Sequence, residues 1–367
     1  MTFSRKIFIF FCTTCCISVF SQTQKPEIGG YLSDMFAGMQ MNMQGYDNLY
    51  WENVLHNRLN GGWQFAENWR IDAGMRNRYI SGSKEMADNE VRFEFDRLFL
   101  TFEKSRLKLQ IGRQRINWGQ TFVWNPNDIF NTYSFFDFDY PERQGCDAFR
   151  ATYFHSETAS TEIAASINRN DKITAALMHR RNWQNIDFQI ISGILEESDI
   201  VVGGAFTGDV KGLNYRGEFS FFQQMKNNST WKLPPPMTFV ASFGLDYIFQ
   251  NSLMLQAEFL YNSIDNKEIS GGFMDFYSVP MSAKKLSICE YNLFTQASYP
   301  ISSRLNGTLS GMYFIDIQGL YGGFSLDFSL LENLDLSLIT QYFTSLPSSD
   351  LGDMSALLGF ARVKYSF

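Results

Sequence analysis

From residue 22 onward, apolar side chains recur at every second position in one segment after another, and no unbroken apolar run is long enough for a membrane-crossing helix. Successive side chains of a strand point to opposite faces, so this period of two builds strands with one apolar and one mostly polar face. Residues 333–345 are typical. Leu334, Leu336 and Leu338 share a parity that closes on Tyr342, against Asp335, Ser337 and Gln341 on the other. In 319–330, Leu320, Phe324, Leu326, Phe328 and Leu330 oppose Ser325, Asp327 and Ser329. The last segment sets Leu357, Ala361, Val363, Tyr365 and Phe367 against Arg362, Lys364 and Ser366.

About 18 such segments follow one another, most of them long enough for a tilted transmembrane strand of ~9–11 residues. They cover 28–42, 49–65, 69–82, 90–104, 106–118, 147–156, 160–169, 172–181, 185–195, 199–209, 212–226, 237–249, 252–264, 286–299, 304–316, 319–330, 333–345 and 355–367. With the chain started in the periplasm, every second connection (66–68, 105, 157–159, 182–184, 210–211, 250–251, 300–303, 331–332) is short. All the long ones (43–48, 83–89, 119–146, 227–236, 265–285, 346–354) fall on the other side, the outer-membrane pattern. A soluble sandwich also alternates, but it would leave this aromatic row in water to aggregate. Lipid accommodates the row, and closure pairs every strand edge. Aromatic residues at 16% and hydrophobic ones at 45% exclude a disordered chain. The expected fold is all-β: a transmembrane antiparallel β-barrel of about 18 strands, with 16 the next count.

The first 21 residues read as an address. Arg5 and Lys6 precede an apolar stretch from Ile7 to Phe20, and Val19 and Ser21 are small enough for signal-peptidase cleavage before Gln22. Cys12, Cys15 and Cys16 lack the setting of a lipidated cysteine. The expected organisation is a signal peptide over 1–21 and a barrel over 22–367. Cleavage takes the net charge from −7 to about −9, which argues against a nucleic-acid partner. Cys146 and Cys289 remain, and could pair in an oxidising compartment.

A barrel of roughly 16 to 18 strands encloses an aqueous channel, so its inward residues decide function. Parity turns Arg70, Asp72, Arg76 and Arg78 inward over 69–82, and Arg92, Glu94 and Asp96 inward over 90–104. The apolar row then shifts phase between Phe95 and Leu98, which predicts a β-bulge that turns Arg97 inward as well. Over 106–118, Lys108 and Gln110 face in, and a second phase change at Gly112 would add Arg113, Arg115 and Asn117. One wall is then basic in excess. Neighbouring acids make a solvated, self-paired lining one reading; an arginine ladder that biases small solutes, anions above all, is the other. The expected pore-lining residues are Arg76, Arg78, Arg92, Arg97, Arg113 and Arg115.

The longest connection, 119–146, follows that wall. It holds Phe122, Trp124, Phe130, Tyr133, Phe135, Phe136, Phe138 and Tyr140 with Asp128, Asp137, Asp139 and Glu142. So many aromatic rings need a surface to bury against. Either the connection folds inward and narrows the channel, with Asp128, Asp137 and Asp139 towards the basic wall, or it packs on the rim. The inward arrangement resembles general diffusion porins, in which an acidic inserted loop opposes an arginine cluster. That resemblance implies passive diffusion of small hydrophilic solutes. Ile111-Gly112-Arg113-Gln114-Arg115-Ile116-Asn117-Trp118-Gly119, followed by Asn125-Pro126-Asn127-Asp128-Ile129, is similar to a strand-and-loop stretch of little-characterised bacterial outer-membrane barrels. Asn127 is an insertion relative to the tighter form. Gly119 suits a sharp exit with positive φ, and 125–128 suits turns. The terminal Val363-Lys364-Tyr365-Ser366-Phe367 resembles the strand signal that such barrels present to their insertion machinery.

Catalytic chemistry is not expected. The three histidines are His56, His155 and His179; Ser166 and Ser192 lie on strands beside the last, but no motif joins a serine to it as nucleophile and base. No metal-ligand spacing and no cofactor motif occurs. A surface-binding or adhesion barrel is the alternative function, and an outer-membrane lipid hydrolase a more distant one. The expected partners are outer-membrane lipid, small hydrophilic solutes and the insertion machinery. A homotrimer is the assembly common among porins.

Overall fold

The computed structural model describes residues 25–43, 46–83, 90–132, 145–225, 237–263, 281–345 and 354–367. The expected signal peptide lies outside them. The strands are β1 (Glu27–Met43), β2 (Tyr46–Ala66), β3 (Trp69–Gly82), β4 (Glu90–Lys104), β5 (Leu107–Gln114) and β6 (Cys146–Ser156). Next come β7 (Ala159–Ile167), β8 (Ile173–Trp183), β9 (Ile186–Leu195), β10 (Asp199–Val210), β11 (Leu213–Gln224) and β12 (Met237–Ile248). The remainder are β13 (Met254–Asn262), β14 (Tyr291–Ser302), β15 (Leu305–Phe314), β16 (Gly319–Leu331), β17 (Leu334–Ser345) and β18 (Met354–Ser366).

Each strand pairs antiparallel with its neighbours in the chain, and β1 pairs with β18 from Tyr31↔Ser366 to Met43↔Met354. The 18-stranded sheet therefore closes on itself, and no edge is left to template aggregation. Outward rows carry Phe93, Phe243, Leu309, Phe324 and Leu357, all exposed. In water this surface would be untenable; in hydrocarbon it is what a spanning sheet requires. At one end the connections are hairpin turns. Gln184 and Asn185 take φ of 51° and 63°, and Lys211 and Gly212 take 54° and 85°, the primed-turn geometry that matches strand twist.

The predicted slip in β4 is present. Pairing passes from Gly74↔Arg97 to Met75↔Phe95, leaving Asp96 as the extra residue. Two strands depart furthest from their pattern at one end. β5 stops at Gln114 although alternation runs to Trp118, and β14 starts at Tyr291 although alternation begins at Leu286. Both overhanging pieces lie off the wall and are buried at Ile116, Trp118, Leu286 and Ile288.

That burial belongs to a core the period-two reading does not contain. At the end with the long connections, inward side chains are apolar: Val201, Phe222, Val240, Leu260, Phe294, Phe314 and Phe343. They pack in one cluster with Ile116, Trp118, Val123, Trp124 and Ile129 from one connection and Ala283, Leu286 and Ile288 from another. Burying each large side chain contributes about 1.5–3 kcal/mol, so the filled end stabilises the barrel from within. Nearer the hairpin end the inward row is polar, with Asp246, Gln256 and Ser337.

Candidate functional site

The arginine wall follows from register. Arg58 on β2 stands opposite Arg76 on β3, and Arg78 on β3 opposite Arg92 on β4. Like charges in directly opposed positions repel. Acids threaded among them offset this. Arg58 Nη2 donates to Asp96 Oδ2 at 2.7 Å with both side chains buried. Arg76 Nη2 reaches Glu94 at 2.6 Å, and the more exposed Arg92 reaches Glu90 at 2.6 Å. The bulge turns Arg97 inward beside Asp96, with its Nε 3.9 Å from that carboxylate. His56 sits among Arg58, Arg76 and Arg78, and Arg362 of β18 interacts with it from the next side.

β5 continues this wall and then leaves it. Its pairing runs through Gly112 without a slip on either side, so the phase change expected there is absent. Gly112 takes φ of 119° and lies so close to the Leu98 carbonyl that a side chain has no room. Arg113 consequently stays on the outward row of Ile111 at the rim. Its Nε and Nη2 donate to Asp147 at 2.8 and 2.6 Å, and its Nη1 to the Phe95 carbonyl at 3.2 Å. Arg115 is half-buried just past the strand end, and Asn117 is exposed.

Residues 115–132 hydrogen-bond to inward-facing groups far around the ring. Trp118 Nε1 donates to Glu162 of β7 at 2.6 Å, and Gln189 of β9 donates to the Trp118 carbonyl at 2.7 Å. Backbone N–H groups of Gln120, Thr121 and Asn127 converge on Glu218 of β11 at 2.6, 3.2 and 2.6 Å. Those of Phe122, Val123 and Trp124 converge on Glu258 of β13 at 2.8, 3.2 and 2.8 Å. Asn127 Nδ2 donates to the Gly204 carbonyl of β10 at 3.0 Å, and Arg216 stacks its guanidinium 3.7 Å from the Phe122 ring centre. Trp124 meets Phe294 of β14, halfway round the 18-stranded ring from β5.

Local geometry explains the path. A turn over 125–128 is closed by Asp128 N–H to the Asn125 carbonyl at 3.1 Å, with Pro126 in its second position. Gly119 does not take a positive φ. It is small because the Asn125 side chain occupies the place of a Cβ. Asp128 is buried within the segment. Asp137 and Asp139 lie outside the described residues. Next to Ile129 and Asn131, a cavity of about 890 Å³ is bordered by Glu94, Arg113, Asp147 and the Lys284–Asp199 pair, itself 2.7 Å long.

Sequence parity passed over Glu162, Glu218 and Glu258. The available signal was an acid on the inward parity of a strand that is otherwise apolar on both faces, as in Glu218 before Phe221-Phe222 and Glu258 before Phe259-Leu260. Cys146 and Cys289 are both free thiols. Outside the barrel, His179 Nδ1 and His155 Nε2 share the Thr161 hydroxyl at 2.9 and 2.7 Å, while Ser166 is buried on the inward row.

No protein-family model matches the sequence, and no curated protein matches it. Solved structures do match in fold. OccK11 (OpdR) of Pseudomonas aeruginosa aligns with a TM-score of 0.61 at 10% identity, covering 93% of this chain and 96% of its own. OccAB4 of Acinetobacter baumannii aligns at 0.61 and 11% identity, covering 94% and 99%. The outer membrane protein OprD from Pseudomonas aeruginosa aligns at 0.59 and 8% identity, covering 93% and 94%. The fold is that of an outer-membrane β-barrel. An outer-membrane barrel of this girth has room for an aqueous path and for connections folded into it.

Proposed function

We propose that this chain is a porin. Small hydrophilic solutes cross passively through its lumen, which the 119–146 connection narrows opposite the basic wall of β2–β4. The observation that carries this function is the convergence of six backbone N–H groups from residues 120–127 on Glu218 and Glu258. Those carboxylates stand six and eight strands from the point where the connection leaves β5. Anchors of this kind hold a connection within a barrel. The arginine oppositions Arg58↔Arg76 and Arg78↔Arg92 point the same way, because a wall serving stability alone would alternate in sign. Arg76, Arg78, Arg92, Arg97 and Arg115 line the path, Arg113 stands at its mouth, and Asp128 with Asp137 and Asp139 belongs to the constriction. Export depends on the leader over 1–21, and insertion on the strand ending at Phe367.

The apolar filling at the long-connection end favours a second reading, a non-conducting barrel that works through its surface. Liposome swelling separates the two. Vesicles carrying the purified full-length protein swell in isotonic sugar and amino-acid solutions, faster for smaller solutes, if the barrel is a porin. Absence of swelling across the series leaves the surface-binding barrel.

A further inference from the structure

We infer that the outer face of β1–β3 is a contact between two copies of this chain, packed about a twofold axis in the membrane. The inference rests on the outer-membrane placement and not on conduction. Elsewhere on the described outward rows, polar side chains larger than threonine, tyrosine aside, lie near strand ends, such as Gln40, Asp147 and Arg181, except His179 of β8, which bonds to Thr161 of the adjoining strand. On β1–β3 they lie in mid-strand. Asp34, Asn53, Asn57 and Asn77 share the outward parity of Leu32, Phe36, Leu55 and Tyr79.

Their depth is fixed by their neighbours. Asp34 has Leu32 and Phe36 along its own strand and Leu55 and Val363 directly across. All four are outward apolar residues, between 41% and 52% exposed, so the carboxylate lies within the apolar belt and not at its rim. Asn57 is midway along β2 between outward Trp51 and Trp63, and stands directly opposite Asn77. Asn53 Nδ2 already donates to Asp34 Oδ1 at 2.9 Å. Hydrocarbon solvates neither amides nor carboxylates, and an ionisable group facing lipid at such depth calls for a protein neighbour.

The chemistry selects a second copy as that neighbour. One patch carries an acceptor-only carboxylate and amide donors on three positions, so it is complementary to itself. A twofold rotation sets the Asn57 and Asn77 amides of one copy against Asp34 of the other, and the reverse, which is the isologous condition. A threefold assembly would need two different complementary patches. Close approach is open as well. Gly38 pairs with Gly359 on the adjoining strip, and a Cβ at either would meet nothing within 4 Å. Small residues of this kind let membrane-embedded backbones come together.

Disulfide capture in native outer membranes tests the contact. Asp34→Cys combined with Asn57→Cys, oxidised in place and run on a denaturing non-reducing gel, gives a covalent homodimer, because the thiol at position 34 of each copy then faces the thiol at position 57 of the other. Ser192→Cys, on the outward row of β9, gives monomer, as does the parent protein. In mild detergent, Asp34→Leu combined with Asn57→Leu halves the particle mass by light scattering and keeps a heat-modifiable barrel. Monomer from the Asp34→Cys, Asn57→Cys double variant, equal capture at Ser192→Cys, or capture only to a different protein overturns the inference. Bilayer conductance of the same samples keeps the two ideas apart. A dimer without conductance leaves the contact standing and sinks the porin; conductance without a dimer does the reverse.

Discussion

Removing the carboxylate of Glu258 should loosen the segment that bonds to it. In the parent protein that side chain, itself buried, accepts from the backbones of buried Val123 and Trp124 and partly exposed Phe122 and from Ser242 Oγ at 2.9 Å. Each buried N–H left without an acceptor costs about 1–3 kcal/mol. Water entering the vacated space brings three such losses to the low end, about 3 kcal/mol. At ~1.4 kcal/mol per tenfold, docking of the segment weakens about a hundredfold in Glu258→Ala. Glu218→Ala removes a matching set on Gln120, Thr121 and Asn127. The two anchors hold one segment, so their effects are coupled and the double variant need not equal the sum. Single-channel recording in planar bilayers reads the outcome. Glu258→Ala should add flicker to each open step, and the double variant should open to a larger conductance. A folded double variant with parental step size and parental noise would refute the idea that these carboxylates hold a constriction.

Three further outcomes follow from the same geometry. Arg97→Glu with Arg115→Glu should move the reversal potential in a salt gradient towards cations, whereas Arg113→Ala should move it less because Asp147 already matches that charge at 2.6 Å; an unmoved potential in the first pair removes those arginines from the path. Arg58→Ala takes the 2.7 Å partner from buried Asp96 and leaves it Arg97 at 3.9 Å, at a cost of about 3 kcal/mol, the low end for breaking a buried pair, so the urea midpoint should fall, and an unchanged midpoint would contradict the buried pair. Burial pushes the Cys289 thiol up to about 12, so thiolate is scarce at pH 8 and a maleimide should label Cys289 only after unfolding; prompt labelling of the folded barrel would place that residue in water.

Strand number and most strand limits were legible because one physical rule, lipid on one face and interior on the other, acts along the whole chain. The bulge at Asp96 was legible for the same reason, since it breaks the phase between Phe95 and Leu98. The rule misleads where a connection packs against the inward rows. Ile116 and Trp118 still alternate with polar neighbours after β5 has ended, because the segment is buried on one side by the lumen wall instead of by lipid. Adjacent pairs such as Phe221-Phe222, Leu293-Phe294 and Tyr342-Phe343 carry the missing information. One member faces lipid and the other faces the inserted connections. Arg113 was misplaced for a smaller reason. Gly112 takes a positive φ while its pairing stays in step on both sides, so the next side chain keeps its row.

Planar-bilayer recording on the full-length chain, purified from outer membranes in detergent, bears most directly on a lipid-facing cylinder with water inside it. Addition of the protein should produce discrete ohmic current steps whose size scales with salt concentration. A folded, heat-modifiable barrel that inserts and passes no current would contradict a conducting lumen.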